Sequence, residues 1–367
     1  MSRVEININP QVLRWAREEA GFDLIEIADK VDIAEERYML WEKEGKNIPL
    51  GKLKKLANSY KRQLAVFLLP IVPDKIAKPK DYRNLSPADS KFSKKILDVI
   101  RDVTYFSETA LELQGEIYWK GRYEWLEMAK REINDSSSFN TVLRELLDIR
   151  IEEQINWQAD FEAYRNWRNA VEDRLGILVF QFPMPMDEVH GFCLTDKLPY
   201  AIVTNSNHSY TGRIFTIFHE IAHIIRHQSG VCLYERATER QTEEWECNLS
   251  AGKFLVPDNM TERTNDLKLI AHYASKLKVS REVYLRRLKE EKKISDMNFF
   301  NLLAQIKSTY KKEKRKSGFV KPIIKSRATR GETFFNMVLE AAYHNQISYT
   351  RASNALSLNV TSLLHEV

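Results

Sequence analysis

Three polar side chains inside an apolar segment have the clearest chemical potential in this sequence. His219, Glu220 and His223 form the pattern H-E-x-x-H within the stretch IFTIFHEIAHIIRH. On a helix, side chains four residues apart lie on one face, so both imidazoles can reach one metal ion. Glu220 lies beside that face and can take the proton of a water molecule that attacks a carbonyl group. The pattern therefore predicts a catalytic zinc site on a buried helix.

A catalytic zinc site needs a third protein ligand besides the two histidines. Glu243, Glu244 and Glu246 lie on the following helical stretch, TEEWECNLSAGKFLV. We predict Glu246 as the ligand, because small residues follow it at helical spacing and allow the two helices to approach closely. Glu243 and Glu244 are the alternatives. Cys247 would point about 100° away from Glu246 around the helix, so it is expected to pack rather than to bind metal.

Three further histidines flank the pattern, and the sequence determines their roles less well. His190 and His208 precede the helix, and either could stabilise the negative oxygen that forms when a carbonyl is attacked. The spacing does not select between them. His227 continues the face of His223, but a satisfied or exposed histidine is its simplest interpretation.

Hydrophobic periodicity predicts the elements that position these residues. The N-terminal stretch predicts four or five short helices, and residues 91–175 predict longer ones. From Gly176 the period changes to two, and the runs ILVFQF, VHGFCL and AIVTN predict three short strands ahead of the zinc helix. Helices then continue to about residue 306.

The predicted fold class is therefore α+β and mostly helical, in four segments. These are a helical domain at 1–72, a proline-rich linker and helical connector at 73–175, a domain with the small sheet and the zinc helices at 176–306, and a basic linker with a C-terminal helical segment at 307–367.

Composition and charge exclude several classes of protein. With 43% apolar and 29% charged residues the chain is not disordered, and no apolar run approaches the roughly 20 residues that cross a bilayer. No signal peptide opens it and three cysteines are too few for a disulfide scaffold, so we expect a cytoplasmic protein. The net charge of +5 is local, since residues 307–330 carry ten Lys or Arg against one Glu. The chain is not a generally basic protein.

Several motifs resemble the ImmA/IrrE family of metallo-endopeptidases, in the form that carries an N-terminal phage-repressor-type (XRE-like) helix-turn-helix domain. RIFTIFHEIAH is similar to the family's lead into its zinc helix. EWECNLSAGKFLVP is similar to the helix that follows, with Cys247 where alanine is usual. YKRQLAVFLLP and PKDYR resemble the junction between the two domains, so the resemblance covers most of the chain.

This resemblance implies a zincin-like metallopeptidase domain in which His219, His223 and Glu246 bind Zn²⁺ and Glu220 is the general base. It also implies that the substrate is a partner protein, such as a helix-turn-helix repressor whose cleavage under stress derepresses genes. Alternative functions are a DNA-binding regulator whose protease fold is a sensor or scaffold, and a toxin–antitoxin or phage-defence component. A homodimer is compatible with the sequence, and no membrane partner is expected.

Zincin-like sites usually hold their substrate as an added strand along a sheet edge. The runs VHGFCL and AIVTN are the candidates for that edge, and Gly191 would allow a close backbone approach. Such docking requires an extended segment in the target protein.

The helix that should enter the major groove of DNA begins with Ala34, Glu35 and Glu36. Two glutamates at that place would be repelled by phosphates, and residues 34–46 hold four Glu against three Lys or Arg. A protein-docking or dimerising role is thus at least as well supported as sequence-specific DNA binding. The basic residues 307–330 could add nonspecific DNA contacts, although charge runs are usually solvated linkers.

We predict that residues 1–72 alone bind DNA weakly and with little sequence preference, because Glu35 and Glu36 head the helix that would read bases. Footprinting at about physiological salt tests this expectation. Nanomolar protection of a defined operator would contradict it.

Overall fold

The structure is a computed structural model that describes residues 4–60, 62, 64–73, 93–226, 240–309 and 320–364. The chain divides into two compact units. The first comprises Met1–Lys78 and Leu85–Thr104, and the second comprises Pro79–Asn84 and Tyr105–Val367. The four-segment division predicted from the sequence stays a prediction.

Among its described residues, the first unit contains four short helices, a two-residue ladder, a 3₁₀ turn and the start of the helix Lys94–Gln114. The helices are α1 (Pro10–Glu19), α2 (Leu24–Lys30), α3 (Glu35–Glu44) and α4 (Leu50–Ser59); the strands β1 (Glu5–Ile6) and β2 (Ile48–Pro49) pair antiparallel, and the 3₁₀ turn covers Leu64–Leu68.

Side-chain caps explain where α1 and α2 begin. Asn9 caps α1, and Asp23 and Glu26 form a capping box at α2. In the core, the buried carboxylate of Glu42 on α3 accepts a 2.7 Å hydrogen bond from Arg17 on α1. This pair fixes α3 against α1.

A tight turn with a left-handed residue joins α2 to α3. Asp32 has φ +54°, and the N–H of Ile33 donates to the carbonyl of Ala28 at 3.1 Å. The same turn recurs four times among the described residues of the second unit, with the left-handed residue at Lys278, Lys292, Asn345 and Ser357. The turn is a general helix connection in this chain and does not by itself mark a DNA-binding domain.

Helices make up most of the second unit. Before the sheet, α5 (Lys94–Gln114) ends within this unit and is followed by α6 (Glu116–Arg122), α7 (Glu124–Glu132), α8 (Ser136–Leu147), α9 (Ile151–Asn156) and α10 (Asp160–Leu175). After the sheet come α11 (Tyr210–Ile225), α12 (Arg240–Leu255), a 3₁₀ turn at Asp258–Met260, α13 (Leu267–Lys276), α14 (Arg281–Glu290), α15 (Asp296–Ser308), α16 (Pro322–Arg330), α17 (Glu332–Tyr343), α18 (Tyr349–Leu356) and α19 (Val360–Leu364).

A three-stranded sheet precedes α11. Its strands are β3 (Leu178–Phe182), β4 (Gly191–Leu194) and β5 (Ala201–Asn205), in the spatial order β3-β5-β4. The central strand β5 pairs parallel with β3 and antiparallel with β4. Strand β5 is fully buried, and α11 is the next element along the chain. Helix α11 therefore begins close to the buried centre of the unit.

An aromatic cluster packs α11 against α12 and α10. Phe218 on α11 and Phe254 on α12 have ring centroids 4.2 Å apart, and Trp167 on α10 lies 4.9 Å from Phe218 and 5.3 Å from Phe254. All three rings are fully buried. Such contacts are worth about 0.5–1.5 kcal/mol per pair beyond the burial of area, and they hold the two helices in one register.

Three side chains, of which Gln154 and Arg287 are fully buried, hold the C-terminal end of α12. Arg144 donates to the carbonyl of Phe254 at 2.7 Å, and Gln154 donates to the next carbonyl, of Leu255, at 2.9 Å. Arg287 on α14 donates to the carbonyl of Val256 at 3.0 Å. These carbonyls would otherwise be unsatisfied at a helix end, and cations are favoured there by the helix dipole.

A buried ion pair ties the C-terminal helices to the sheet. Arg168 and Glu172, both on α10, lie 3.2 Å apart. The guanidinium of Arg168 donates to the carbonyl of Ala328 on α16, and the carboxylate of Glu172 accepts from the N–H groups of Val179 on β3 and Thr333 on α17. Helices α16 and α17 are therefore part of the second unit.

The predicted fold class, α+β and mostly helical with small sheets, is confirmed. Among the residues that the structure describes, no helix has both the length and the apolar character that crossing a bilayer requires.

A glycine allows β4 to lie against α11. A Cβ at Gly191 would overlap the Cγ2 of Thr216 and would lie 2.6 Å from the carbonyl oxygen of Val203. We predict that Gly191→Ala lowers the free energy of unfolding by about 1–3 kcal/mol, because the helix and the strand must separate. Denaturant unfolding of the full chain measures this loss.

Gly51 on α4 is the matched control, since nothing lies within 4 Å of an added Cβ there. Gly51→Ala should be neutral or stabilising by about 0.5–1 kcal/mol. Equal midpoints for the two variants would show that β4 does not pack on α11 as described.

Candidate metal centre

Helix α11 presents two imidazoles on one face, one turn apart. The Nε2 atoms of His219 and His223 lie 3.1 Å apart, and both side chains are largely buried. Ser209 caps the helix at its start, and apolar residues on its other faces are buried, so the orientation of the two rings is fixed by packing. Two nitrogen lone pairs therefore converge on one point.

Glu244 on α12 completes a group of three potential ligands. Its Oε2 lies 3.2 Å from the Nε2 of His219, and its Oε1 lies 3.4 Å from the Nε2 of His223. These three residues are the only group of that kind found among the described His, Cys, Asp and Glu side chains.

The spacing of these atoms fits a zinc ion. Ligand atoms about 2.0–2.1 Å from a tetrahedral metal lie about 3.3–3.4 Å from each other. The observed separations of 3.1, 3.2 and 3.4 Å are close to that value. Two imidazoles and one carboxylate are also a donor set that zinc enzymes use, with a further position open to water.

Electrostatics also favour a cation at this point. Burial lowers the pKa of His223, but the hydrogen bonds of Cys247 and Glu244 and the charge of Glu220 outweigh it and raise that pKa to about 11. Burial likewise opposes charge on Glu244, yet the hydrogen bonds and charges of His219 and His223 lower its pKa. The surrounding protein thus stabilises positive charge between the two helices.

The structure places Glu244, and not the predicted Glu246, beside the two imidazoles. The carboxylate of Glu246 lies 3.6 Å from Arg226 and is not in the ligand group, whereas Glu244 is. Glu243 is exposed. The physical reason is helical geometry: the small residues Cys247 and Ala251 follow Glu244 by three and seven positions, so they share its face and not that of Glu246.

Glu220 directly follows His219 on α11. It is 1% exposed, and its charge acts on His223. A carboxylate in this position can accept a proton from a water molecule beside the two imidazoles. Its role as general base stays a prediction, as does zinc itself.

Cys247 is closer to the site than the sequence indicated. It is fully buried, as a packing residue would be, but it also contributes to the raised pKa of His223 and lies 3.5 Å from the guanidinium of Arg226. Because it follows Glu244 by three residues, it faces α11 as Glu244 does. Packing alone is an incomplete description of this residue.

The structure distinguishes between His190 and His208, the two flanking histidines that it describes. The rings of His190 and His208 lie 5.1 Å apart. Burial, His190 and Arg213 lower the pKa of His208 to about 4, whereas burial and the charge of His219 lower the pKa of His190. Of the two histidines, His190 is therefore the one whose pKa is affected by a candidate ligand, His219. His227 lies outside the described residues.

The structure also distinguishes between the two runs that were candidates for a substrate-binding edge. The run AIVTN forms β5, which has neighbours on both sides, whereas the run VHGFCL contains β4, which pairs with β5 alone among the described strands. Gly191 does permit a close approach, but its neighbour is Thr216 of α11 rather than a substrate. Of these two candidates, only β4 therefore lies at an edge of the described sheet.

Residues 172–289 match the peptidase M78 family model, described as the IrrE N-terminal-like domain. The match covers about a third of the chain and includes the sheet, α11, α12 and every candidate ligand. No curated protein and no solved structure matches the chain. The match supports the resemblance to the ImmA/IrrE family and indicates a metallopeptidase-type function; the predicted helix-turn-helix domain lies outside it.

We predict that Glu244→Ala lowers zinc affinity by at least about 100-fold, because one of three ligands is lost from a buried site. Glu246→Ala should leave the affinity within about threefold of wild type, since its carboxylate faces Arg226. Competition titration with a chromophoric chelator measures both. A larger loss for Glu246→Ala than for Glu244→Ala would contradict the described arrangement.

Proposed function

We propose that this protein is a zinc-dependent endopeptidase that cleaves a partner protein. The observation that carries the proposal is the convergence of His219, His223 and Glu244 on one point, with the buried Glu220 beside them. The peptidase family match over the same residues agrees with it.

His219, His223 and Glu244 would hold the zinc ion. When bound, zinc supplies a Lewis acid that polarises a carbonyl group and acidifies a water molecule. The two imidazoles bind it through Nε2, the atoms that face each other and Glu244. The aromatic contacts between α11 and α12 keep these donors in place before any substrate arrives.

Glu220 supplies the proton transfer. Its carboxylate takes the proton of the attacking water and afterwards gives it to the leaving amine nitrogen. Burial strengthens its interaction with the reacting groups, because little water screens it. The scissile bond thus breaks without a covalent link between enzyme and substrate.

Strand β4 is our candidate for aligning the substrate. Its free edge would pair with an extended segment of the target, and β4 is packed on α11 at Thr216, one turn before His219. A flexible linker between two folded domains provides such a segment. We therefore propose that the target is a regulatory protein with such a linker, for which a helix-turn-helix repressor is the candidate that the resemblance suggests.

The first unit would recruit that target rather than read DNA. On α3, Met39 and Leu40 are about half exposed beside the charged Glu36 and Lys43. A mixed apolar and charged surface suits a protein partner better than a phosphate backbone does.

We predict that Glu220→Gln lowers cleavage by about 100- to 10,000-fold while zinc content and folding are retained, because only the proton acceptor is removed. The full-length Glu220→Gln protein should also retain uncut substrate in a pull-down. Mass spectrometry of the retained protein, followed by cleavage assays with wild type, measures both effects.

Glu243→Gln is the matched control, because Glu243 is an exposed glutamate outside the ligand group. It should cleave as wild type does. Efficient digestion of casein by the wild type would show a general peptidase, and full activity of Glu220→Gln would exclude the proposed mechanism.

A further inference from the structure

Four exposed side chains form one stripe along helix α3. Glu36, Met39, Leu40 and Lys43 follow one another at helical spacing, so they lie on the same face of the helix. Met39 is 50% exposed and Leu40 is 48% exposed. The buried residues of α3 lie on its opposite side, in the core of the first unit. The α3 stripe is thus a solvent-facing surface with an apolar centre and one charge at each end.

The two charges of the α3 stripe are not paired within the described part of the chain. Neither Glu36 nor Lys43 forms an ion pair with another described residue. Other exposed charges of this unit do so, since the Nζ of Lys55 lies 2.9 Å from a carboxylate oxygen of Asp32. A partner with opposite charges at the matching spacing would therefore form two ion pairs with the stripe.

The α3 stripe is complementary to itself in the antiparallel orientation. Glu36 and Lys43 are equally far in sequence from the midpoint between Met39 and Leu40. A twofold axis through that midpoint brings Glu36 of each copy opposite Lys43 of the other, and Met39 opposite Leu40. Twofold interfaces use the same patch on both subunits, so residue pairs across them occur twice. The order acid, apolar, apolar, base is the order that such a pair of identical helices needs.

We propose that two copies of this protein associate through antiparallel α3 helices. The inference rests on the docking role proposed above for α3, and it identifies a second copy as an occupant of that surface. A target that binds the same surface would have to displace the second copy, so self-association would limit recruitment at high enzyme concentration. DNA is a poorer occupant, because Glu36 would face phosphates.

The size of the α3 stripe determines how strong this association can be. Helix α3 has ten residues and is therefore about 15 Å long. One face of such a helix buries less than the roughly 1,200–2,000 Å² of a stable interface. We therefore expect a reversible dimer with a dissociation constant of about 10–100 µM. Added salt should weaken it, because exposed charge pairs are screened.

Charge reversal at either end tests the pairing. In Glu36→Lys both cross-pairs become two lysines, and in Lys43→Glu both become two glutamates. Each variant should dimerise at least about tenfold more weakly than wild type. The double variant Glu36→Lys/Lys43→Glu restores opposite charges and should return to within about threefold of wild type. Sedimentation equilibrium of the full-length proteins measures these constants, and circular dichroism verifies that each variant is folded.

A mixture of the two single variants separates pairing from a loss of folding. One chain then has lysine at both ends of the stripe and the other has glutamate at both ends. A mixed pair has two attractive contacts, whereas neither variant pairs well with itself. An equimolar mixture of Glu36→Lys and Lys43→Glu should therefore associate at least as tightly as wild type, at a concentration where each alone is monomeric. Mixing would not rescue a helix that is merely destabilised.

Lys54→Glu is the matched control. Lys54 is an exposed lysine on α4 of the same unit, and its substitution makes the same charge change as Lys43→Glu. Because Lys54 lies outside the α3 stripe, the dissociation constant should stay within about threefold of wild type.

Three results would overturn the proposal. The first is a wild-type protein that stays monomeric up to about 500 µM. The second is a dimer that Glu36→Lys and Lys43→Glu leave unchanged, and the third is a mixture of these two variants, both folded, that does not associate. None of these measurements involves zinc or cleavage, so such a result would leave the metal centre standing. A protein that dimerises through α3 but neither binds zinc nor cleaves a target would refute the peptidase proposal and leave this inference in place.

Discussion

A carboxylate on one helix must face two imidazoles on another, and this requirement constrains the whole second unit. The ligand atoms lie 3.1 to 3.4 Å apart, so a shift of one residue in α12 would remove Glu244 from the site. Neither helix can hold this register alone, because Glu244 and the histidines are some twenty residues apart in sequence. The relative position of α11 and α12 must therefore be fixed by everything that packs on them.

Three kinds of interaction supply that restraint. The rings of Phe218, Phe254 and Trp167 fill the space between the helices. The carbonyls at the end of α12 are bound by Arg144, Gln154 and Arg287, which come from different parts of the chain. On the other side, the absence of a side chain at position 191 brings β4 onto α11. The aromatic rings and the hydrogen-bonded carbonyls set the position of Glu244. The close approach at Gly191 sets the position of β4, along which a substrate would lie.

Local features of the sequence were sufficient to predict helix α11 and the three strands. The spacing of His219 and His223 and the change to period two after Gly176 are properties of short stretches. The choice between Glu244 and Glu246 depended on which face of α12 packs on α11. The small residues did indicate that face, since Cys247 and Ala251 follow Glu244 at intervals of three and seven, but proximity in sequence favoured Glu246 instead.

Other features could not be predicted because they depend on contacts between distant residues. The strand order, which makes β4 an edge and β5 central, follows from how the chain crosses the sheet. Arg226 ends α11, and no local feature of the sequence indicates that its guanidinium lies 3.5 Å from the sulfur of Cys247 on α12.

X-ray absorption spectroscopy at the zinc edge of the zinc-loaded full chain tests the central claim most directly. The account predicts a four-coordinate ion with about two imidazole nitrogens and oxygen from Glu244 and solvent, all at about 2.0–2.2 Å. It predicts no sulfur in the first coordination shell, because Cys247 is outside the described group of potential ligands. A sulfur scatterer at about 2.3 Å, or a shell without imidazole, would contradict the account.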